Sequence, residues 1–196
     1  MQIRKRTKIR RQQIIEIIRN IISSKGIEYV TISEIASGIG ITKTAIYRHF
    51  KSKRDILSLL IDNIEETLME KLDSAVTGDD PIQNLKDTLL AHLTYARERR
   101  ETSFIVIMGA MQFSDTLIRH KISLLIQKYL RKIRKILTNA IKHGLVRKDI
   151  NPRIAAISFL GLIQSTVTVW SYKNFNFTPK KIHEVLWSIY MQGIAA

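Results

Sequence analysis

The sequence predicts an all-α protein in which an N-terminal three-helix unit, residues 1–54, precedes a larger helical region, residues 55–196. Three observations carry that prediction. Gly and Pro are scarce, at 8 and 3 of 196 residues, while Ile and Leu recur at three- and four-residue spacing. Most apolar runs open on Thr, Ser, Asp or Asn, and several close on Gly, the residues that start and stop helices. Residues 31–54, TISEIASGIGITKTAIYRHFKSKR, read as two short helices about a tight turn, with a third helix starting at once. A chain of this length buries a real core. Zero Cys excludes disulfide frameworks, thiolate catalysis and Cys-ligated zinc, and suits an intracellular protein. No run of 18 or more residues is free of polar side chains. The opening MQIRKRTKIRRQQ is basic but leads into no apolar core with a cleavage site. No signal peptide is expected, and the expected location is cytoplasmic.

In chain order, residues 1–11 form a cationic arm with Arg4, Lys5, Arg6, Lys8, Arg10 and Arg11. Such an arm either follows phosphates or a minor groove, or stays a frayed, solvated tail. From about Arg10 to Ser24, Ile14, Ile17, Ile18, Ile21 and Ile22 share one helical face, and Gly26 stands at the C-terminal cap. Thr31 can N-cap the next helix, with Glu34 at capping-box spacing. Ile35, Ala36 and Ile39 face inward, and Gly40 supplies a left-handed turn. Thr42 can cap the second short helix, whose Ala45, Ile46 and Phe50 pack back on the first. Lys43, Thr44, Tyr47, Arg48 and His49 are left outward. Hydroxyls, cations and an aromatic on one face suit phosphate oxygens and base edges in a DNA major groove. The pattern is a helix-turn-helix.

At these residues the chain resembles the tetracycline-repressor (TetR) family of transcriptional regulators. The resemblance is carried by Thr31, Ile35-Ala36, Gly40-Ile41-Thr42-Lys43, Ile46-Tyr47, His49-Phe50 and Ser52-Lys53. Thr44 departs from it, since the family commonly has Gly there; a β-branched side chain holds backbone and DNA further apart. The resemblance implies DNA contacts at Lys43, Tyr47, His49 and Lys53. Tyr47, His49, Lys51 and Lys53 are assigned mainly to phosphates, and Thr42, Lys43 and Thr44 to bases; Thr31 and Arg48 complete the candidate DNA-binding set.

Ser52-Lys53-Arg54-Asp55 repeats the capping-box spacing and opens a helix to about Ala75. Ile56, Leu57, Leu60, Ile61, Ile64, Leu68 and Leu72 form its apolar stripe. Lys53, at its first turn, adds a cation where the helix dipole favours a phosphate. Asp62, Glu65, Glu66, Glu70 and Asp73 read as a solvated acidic face. Asp80-Pro81 starts a helix to about Arg100, with Leu85, Leu89, His92, Leu93 and Ala96 inward. Residues 102–113 read as a short apolar helix. Ser114 opens a helix to His143 whose core side is Ile118, Ile122, Leu125, Tyr129, Ile133, Ile136 and Ala140. Its other side, with Lys121, Lys128, Arg131, Arg134, Lys135 and Lys142, reads as a solvated basic face. Gly144 closes it, Asn151-Pro152 starts a nearly all-apolar helix to about 173, and Thr178-Pro179 starts the last. Ser158, Gln164, Ser165, Thr166 and Thr168 make the 152–173 helix too polar and short for a membrane span.

Charge and apolar surface then bear on partners. Residues 1–54 carry 13 Lys/Arg against 3 Asp/Glu, a net of +10; residues 55–80 carry 1 against 8, a net of −7; residues 81–196 carry 18 against 6, a net of +12. A basic first quarter holding a helix-turn-helix is the footprint of a DNA-binding protein. The last two helices are apolar enough to need a second subunit, and the resemblance likewise implies a homodimer through them. A dimer reads a palindromic operator, its recognition helices roughly 34–36 Å apart. The resemblance further implies a small-molecule effector among the middle helices, with His92, Phe104, Met108, Met111, Gln112, Gln164 and Trp170 as candidate lining residues. With six acids in residues 81–196, the expected effector is apolar and neutral or anionic, such as a fatty-acyl compound. The expectation is a sequence-specific regulator, a repressor released by that effector; the alternative is a sequence-tolerant architectural DNA binder without one. No enzyme motif survives inspection. Gly38-Ile-Gly-Ile-Thr-Lys43-Thr44 lacks the Gly before Lys43 and the preceding strand of a phosphate loop. The five His lack metal-ligand spacing. No catalytic residue, metal or cofactor is expected.

Overall fold

The computed structural model describes residues 2–48, 50–99, 115–172 and 177–196. Its described elements are helices: α1 (Gln2–Lys25), a 3-10 turn (Ile27–Tyr29), α2 (Ile32–Ile39), α3 (Lys43–Tyr47), α4 (Lys53–Ala75), α5 (Pro81–Glu98), α6 (Thr116–Lys142), α7 (Pro152–Ser171) and α8 (Pro179–Ile194). The short helix expected over 102–113 lies outside the described residues. Among the described residues, those of Met1–Ile64 and Ile105–Ile122 form one compact unit, and those of Glu65–Phe104 and Ser123–Ala196 a second. Both α4 and α6 therefore contribute to each.

The first unit is built on isoleucine. Ile14, Ile18, Ile21 and Ile22 of α1 are buried with Val30, Ile35, Ile46, Ile56 and Leu60. The arm expected over residues 1–11 is corrected in one respect. Its backbone is already helical from Gln2, so α1 begins about three turns before its periodic apolar face does at Ile14.

In the second unit α5 packs on α7 and α8. Leu85, Leu89 and Leu93 of α5, Phe159 and Ile163 of α7, and Leu186 and Tyr190 of α8 are all buried, and the Phe159 and Tyr190 rings meet edge to face with centroids 5.3 Å apart. Asp80 accepts from the amides of Ile82 and Gln83 at the start of α5, and Asn151 from those of Arg153 and Ile154 at the start of α7, each just ahead of a Pro. Asp115 caps α6, accepting from Leu117 and Ile118 at 3.0 and 3.2 Å; Ser114, expected there, lies outside the described residues. Helix α7 has a mean hydropathy of 1.5, enough by length and composition to cross a membrane. Its Ala155, Ala156, Phe159, Ile163, Val167 and Trp170 are nevertheless buried in this unit. The opposite face of α7 exposes Ile154, Ile157 and Val169, and α8 exposes Val185 and Ile189.

Two expectations about solvated faces need correction. Part of the acidic stripe of α4, Asp62, Glu65 and Asp73, meets lysines of α6, while Arg131, Arg134, Lys135 and Lys142 have no carboxylate partner among the described residues. In the first unit Lys121 Nζ lies 2.5 Å from Asp62 Oδ1, and Arg54 Nε lies 2.5 Å from Asp115 Oδ2. In the second, Lys128 Nζ lies 2.7 Å from Glu65 Oε1, and Lys132 pairs with Asp73. Each stripe alone has the pattern of an outer face; side-by-side packing of two complementary stripes turns them into a seam. Such pairs are each worth about 0.2–1 kcal/mol, because most of these side chains keep substantial solvent contact.

Candidate nucleic-acid interface

Local hydrogen bonds set the geometry of α2 and α3. The Thr31 hydroxyl accepts from the Glu34 amide at 3.2 Å, and the Thr42 hydroxyl from the Ala45 amide at 3.2 Å. Between them Gly40 takes φ 73°, and the Ile41 amide reaches back to the Ala36 carbonyl at 3.0 Å. Gly38 serves a different purpose. A Cβ there would stand 2.6 Å from Ile17 Cγ2, so α1 and α2 approach at a point that admits no side chain.

With Ile35, Ala36, Ile46 and Phe50 buried, the remaining residues of the motif are held outward. Thr42, Lys43, Thr44, Tyr47 and Arg48 are all exposed, as are Thr31 and Lys51. Tyr47 keeps 55 % of its surface open to solvent, so its ring is not core. A capping hydroxyl uses one lone pair and keeps its hydrogen, so Thr31 and Thr42 remain able to donate to a phosphate. His49 lies outside the described residues. The helix α3 is shorter than the periodicity suggests: it ends at Tyr47, Arg48 is its C-cap, and Phe50 packs from the following turn.

The junction into α4 holds what sequence spacing missed. Asp55 accepts from the Lys51 amide at 2.7 Å, while its own amide donates to Ser52 Oγ at 3.4 Å. Half of the expected capping box is made as expected, Ser52 accepting from the Asp55 amide; the return bond goes to the Lys51 amide, one residue before the cap, and a carboxylate already sits at the first turn of α4. Lys53 is half-buried, and its ammonium donates to the Ile27 carbonyl of the 3-10 turn at 3.3 Å. Lys53 ties the motif to the loop before it. Only the 3-10 turn, which periodicity does not reveal, makes this role visible.

In the second unit three of the candidate effector residues can be placed. His92 Nδ1 lies 2.9 Å from the Tyr129 hydroxyl, with ring centroids 5.2 Å apart. Burial pushes the His92 pKa down from 6.5 to about 4, which keeps the ring neutral. Burial also raises the Tyr129 phenol, with a further contribution from Tyr190. Trp170 stacks on Phe177 with centroids 3.5 Å apart and planes at 16°. Gln164 is half-buried on α7. Phe104, Met108, Met111 and Gln112 lie outside the described residues. His92 and Trp170 are thus each engaged with an aromatic neighbour, while Gln164 is half-buried. Two clefts of this unit, of about 800 and 340 Å³, are lined mainly by α6 and by none of those three.

Two family models match the chain. The family model for bacterial regulatory proteins of the tetR family matches residues 14–60, and that for the YsiA-like protein C-terminal region matches residues 53–193. Nucleoid occlusion factor SlmA of Vibrio vulnificus (strain YJ016) is 24 % identical over 182 residues, spanning 92 % of this chain and 93 % of that one. FadR from Bacillus subtilis, solved in complex with stearoyl-CoA, superimposes with a TM-score of 0.81 at 23 % identity, over 93 % of this chain and 98 % of FadR. AibR, solved with isovaleryl coenzyme A and operator DNA, gives 0.76 at 21 % identity, over 92 % and 97 %. Both structural likenesses are of fold.

Proposed function

The chain belongs to the tetR family of bacterial regulatory proteins, DNA-binding transcription regulators, and on that premise we propose a sequence-specific repressor that binds a palindromic operator as a homodimer. The observation that carries this reading is the exposed face of Lys43, Thr44, Tyr47 and Arg48, held by two capped helices against an isoleucine core. Lys43 and Thr44, at the start of α3, are assigned to base edges; Tyr47, Arg48 and Lys51 to phosphates. The dimer is assigned to α7 and α8, whose exposed Ile154, Ile157, Val169, Val185 and Ile189 make an apolar face of the kind a second copy covers. A cytoplasmic location accompanies this role.

The effector is assigned as a small apolar compound, neutral or anionic, of fatty-acyl type. The scarcity of carboxylates in residues 81–196 supports this, as do FadR and AibR, which share the fold and were solved with acyl-CoA molecules. Such a ligand releases DNA only through a higher affinity for the state that does not fit the operator. A sequence-tolerant architectural role is the second reading, favoured by the net +12 of residues 81–196 and by a relative that is a nucleoid occlusion factor.

Selection of bound sequences from random duplex DNA at stated salt separates the two. One enriched palindrome is expected; uniform, strongly salt-dependent binding to every sequence would mean the architectural role. With the palindrome as probe, Lys43→Ala should weaken operator binding by about 1–3 kcal/mol and random-DNA binding by much less. Equal losses on both would remove Lys43 from the base-reading set.

A further inference from the structure

From Lys121 onward the cations of α6 divide into two groups. Lys121, Lys128 and Lys132 each meet a carboxylate of α4. Arg131, Arg134, Lys135 and Lys142 have no carboxylate partner among the described residues; they line one side of the cleft of about 800 Å³ in the second unit. Asn84, Thr138 and Asn139 add neutral donors to that lining, and the described residues lining it include no acid. Arg131 and Arg134 also form a wall of the adjoining cleft of about 340 Å³, where Arg153 of α7 joins them.

This arrangement is costly without a counter-charge. Arg131 stands three residues from Arg134 and four from Lys135, spacings at which like charges each cost a helix a few tenths of a kcal/mol. A concave wall of one sign also concentrates the potential inside the cleft. A multivalent anion relieves both. Guanidinium forks match phosphate oxygens in pairs, and the cleft volume falls in the range of small-molecule sites. A duplex presents its phosphates on a convex surface, which a recess of this size does not follow. We infer that the α6 cleft binds a small anion carrying two or more phosphates, of nucleotide size, held chiefly by Arg131, Arg134 and Lys135. None of these residues belongs to the operator-reading face or to the candidate effector set, so the inference stands independently of the proposed function.

Calorimetric titration of the full-length protein with sodium tripolyphosphate, at low and stated salt, tests this. Saturable binding at one site per chain is expected, with orthophosphate weaker by at least about ten-fold. Arg131→Gln with Arg134→Gln should weaken tripolyphosphate binding by about ten-fold or more, while Lys180→Gln with Lys181→Gln, on the exposed side of α8, leaves it unchanged. Equal losses in the two double variants would mean diffuse attraction to a basic chain and overturn the site. Loss of binding to a short random duplex with no saturable tripolyphosphate binding would make the face a nucleic-acid contact and overturn it equally. If the Gln variant melts early, Arg131→Lys with Arg134→Lys keeps the charge and removes the forks. A several-fold drop is then expected, and unchanged affinity overturns the assignment.

Discussion

The two units of this chain treat polar side chains in opposite ways. In the first, packing is done almost entirely by Ile and Leu, and the chemically active residues of α3 are left over for solvent. In the second, polar and aromatic groups pair with one another: His92 on Tyr129, Trp170 on Phe177, the Tyr190 hydroxyl on the Ala155 carbonyl at 2.9 Å. His183 follows the same rule, its buried ring nitrogen 2.9 Å from the Lys86 carbonyl. A residue's type thus predicts its role well where the core is purely apolar, and poorly where the core is mixed.

The largest expected effect tests the mixed core. Burial holds His92 at about 4, below its ordinary 6.5, so between those values the unfolded chain takes up a proton that the folded chain refuses. The contribution is complete above about pH 6.5 and is lost as pH falls towards 4, on the order of 3 kcal/mol in all. Urea unfolding at neutral pH and at about pH 5 should therefore show a loss that His92→Gln largely removes, since the amide still offers Tyr129 a partner but does not titrate. An identical acid loss in that variant would assign the effect to other groups.

A smaller effect tests the apolar core. At Gly38 a methyl meets Ile17 Cγ2 at 2.6 Å, and that atom cannot retreat without a rotamer change or movement of α1. Gly38→Ala gains up to about 1 kcal/mol in helix propensity and loses about 1–3 to overpacking, for a net loss of about 1 kcal/mol. Gly40 is the contrasting case: nothing stands within 4 Å of a Cβ there, so Gly40→Ala costs about 1–2 kcal/mol through its φ of 73° alone. Thermal unfolding of both variants, with a compensating Ile17→Ala that removes Cγ2 and so relieves only Gly38→Ala, distinguishes crowding from backbone strain.

The fold was legible because its signals are local. Caps at Thr31, Thr42, Asp80 and Asn151, prolines at the first helical positions, and one apolar stripe per helix all act within a few residues of themselves. The outward face of α3 was legible for the same reason, as what a short capped helix cannot bury. What escaped was tertiary. The Lys53 ammonium reaches the Ile27 carbonyl, 26 residues away in sequence. His92 finds its partner, Tyr129, 37 residues on. The helical backbone of the N-terminal arm carries no apolar stripe to announce it, but strings of Arg and Lys have fair helix propensity once a nucleated helix follows.

The smallest effect lies on the seam between α4 and α6, the feature present in both units. Read from each helix separately, its charges are outer faces; in the structure they pair. Exposed pairs contribute little, so the discriminating quantity is the coupling rather than the cost of either substitution. Asp62→Asn with Lys121→Gln should give a coupling of about 0.2–1 kcal/mol in the first unit, and Asp73→Asn with Lys132→Gln a similar value in the second. Both should shrink as salt is raised, because half or more of each acid's surface stays open, 58 % for Asp62 and 71 % for Asp73. Comparable couplings would mean that the seam obeys one physics in both units and that their difference resides in the core. No coupling at low salt would return both stripes to the solvated faces that periodicity alone predicts. Coupling in one unit only would make the seam, like the core, a point of difference between them.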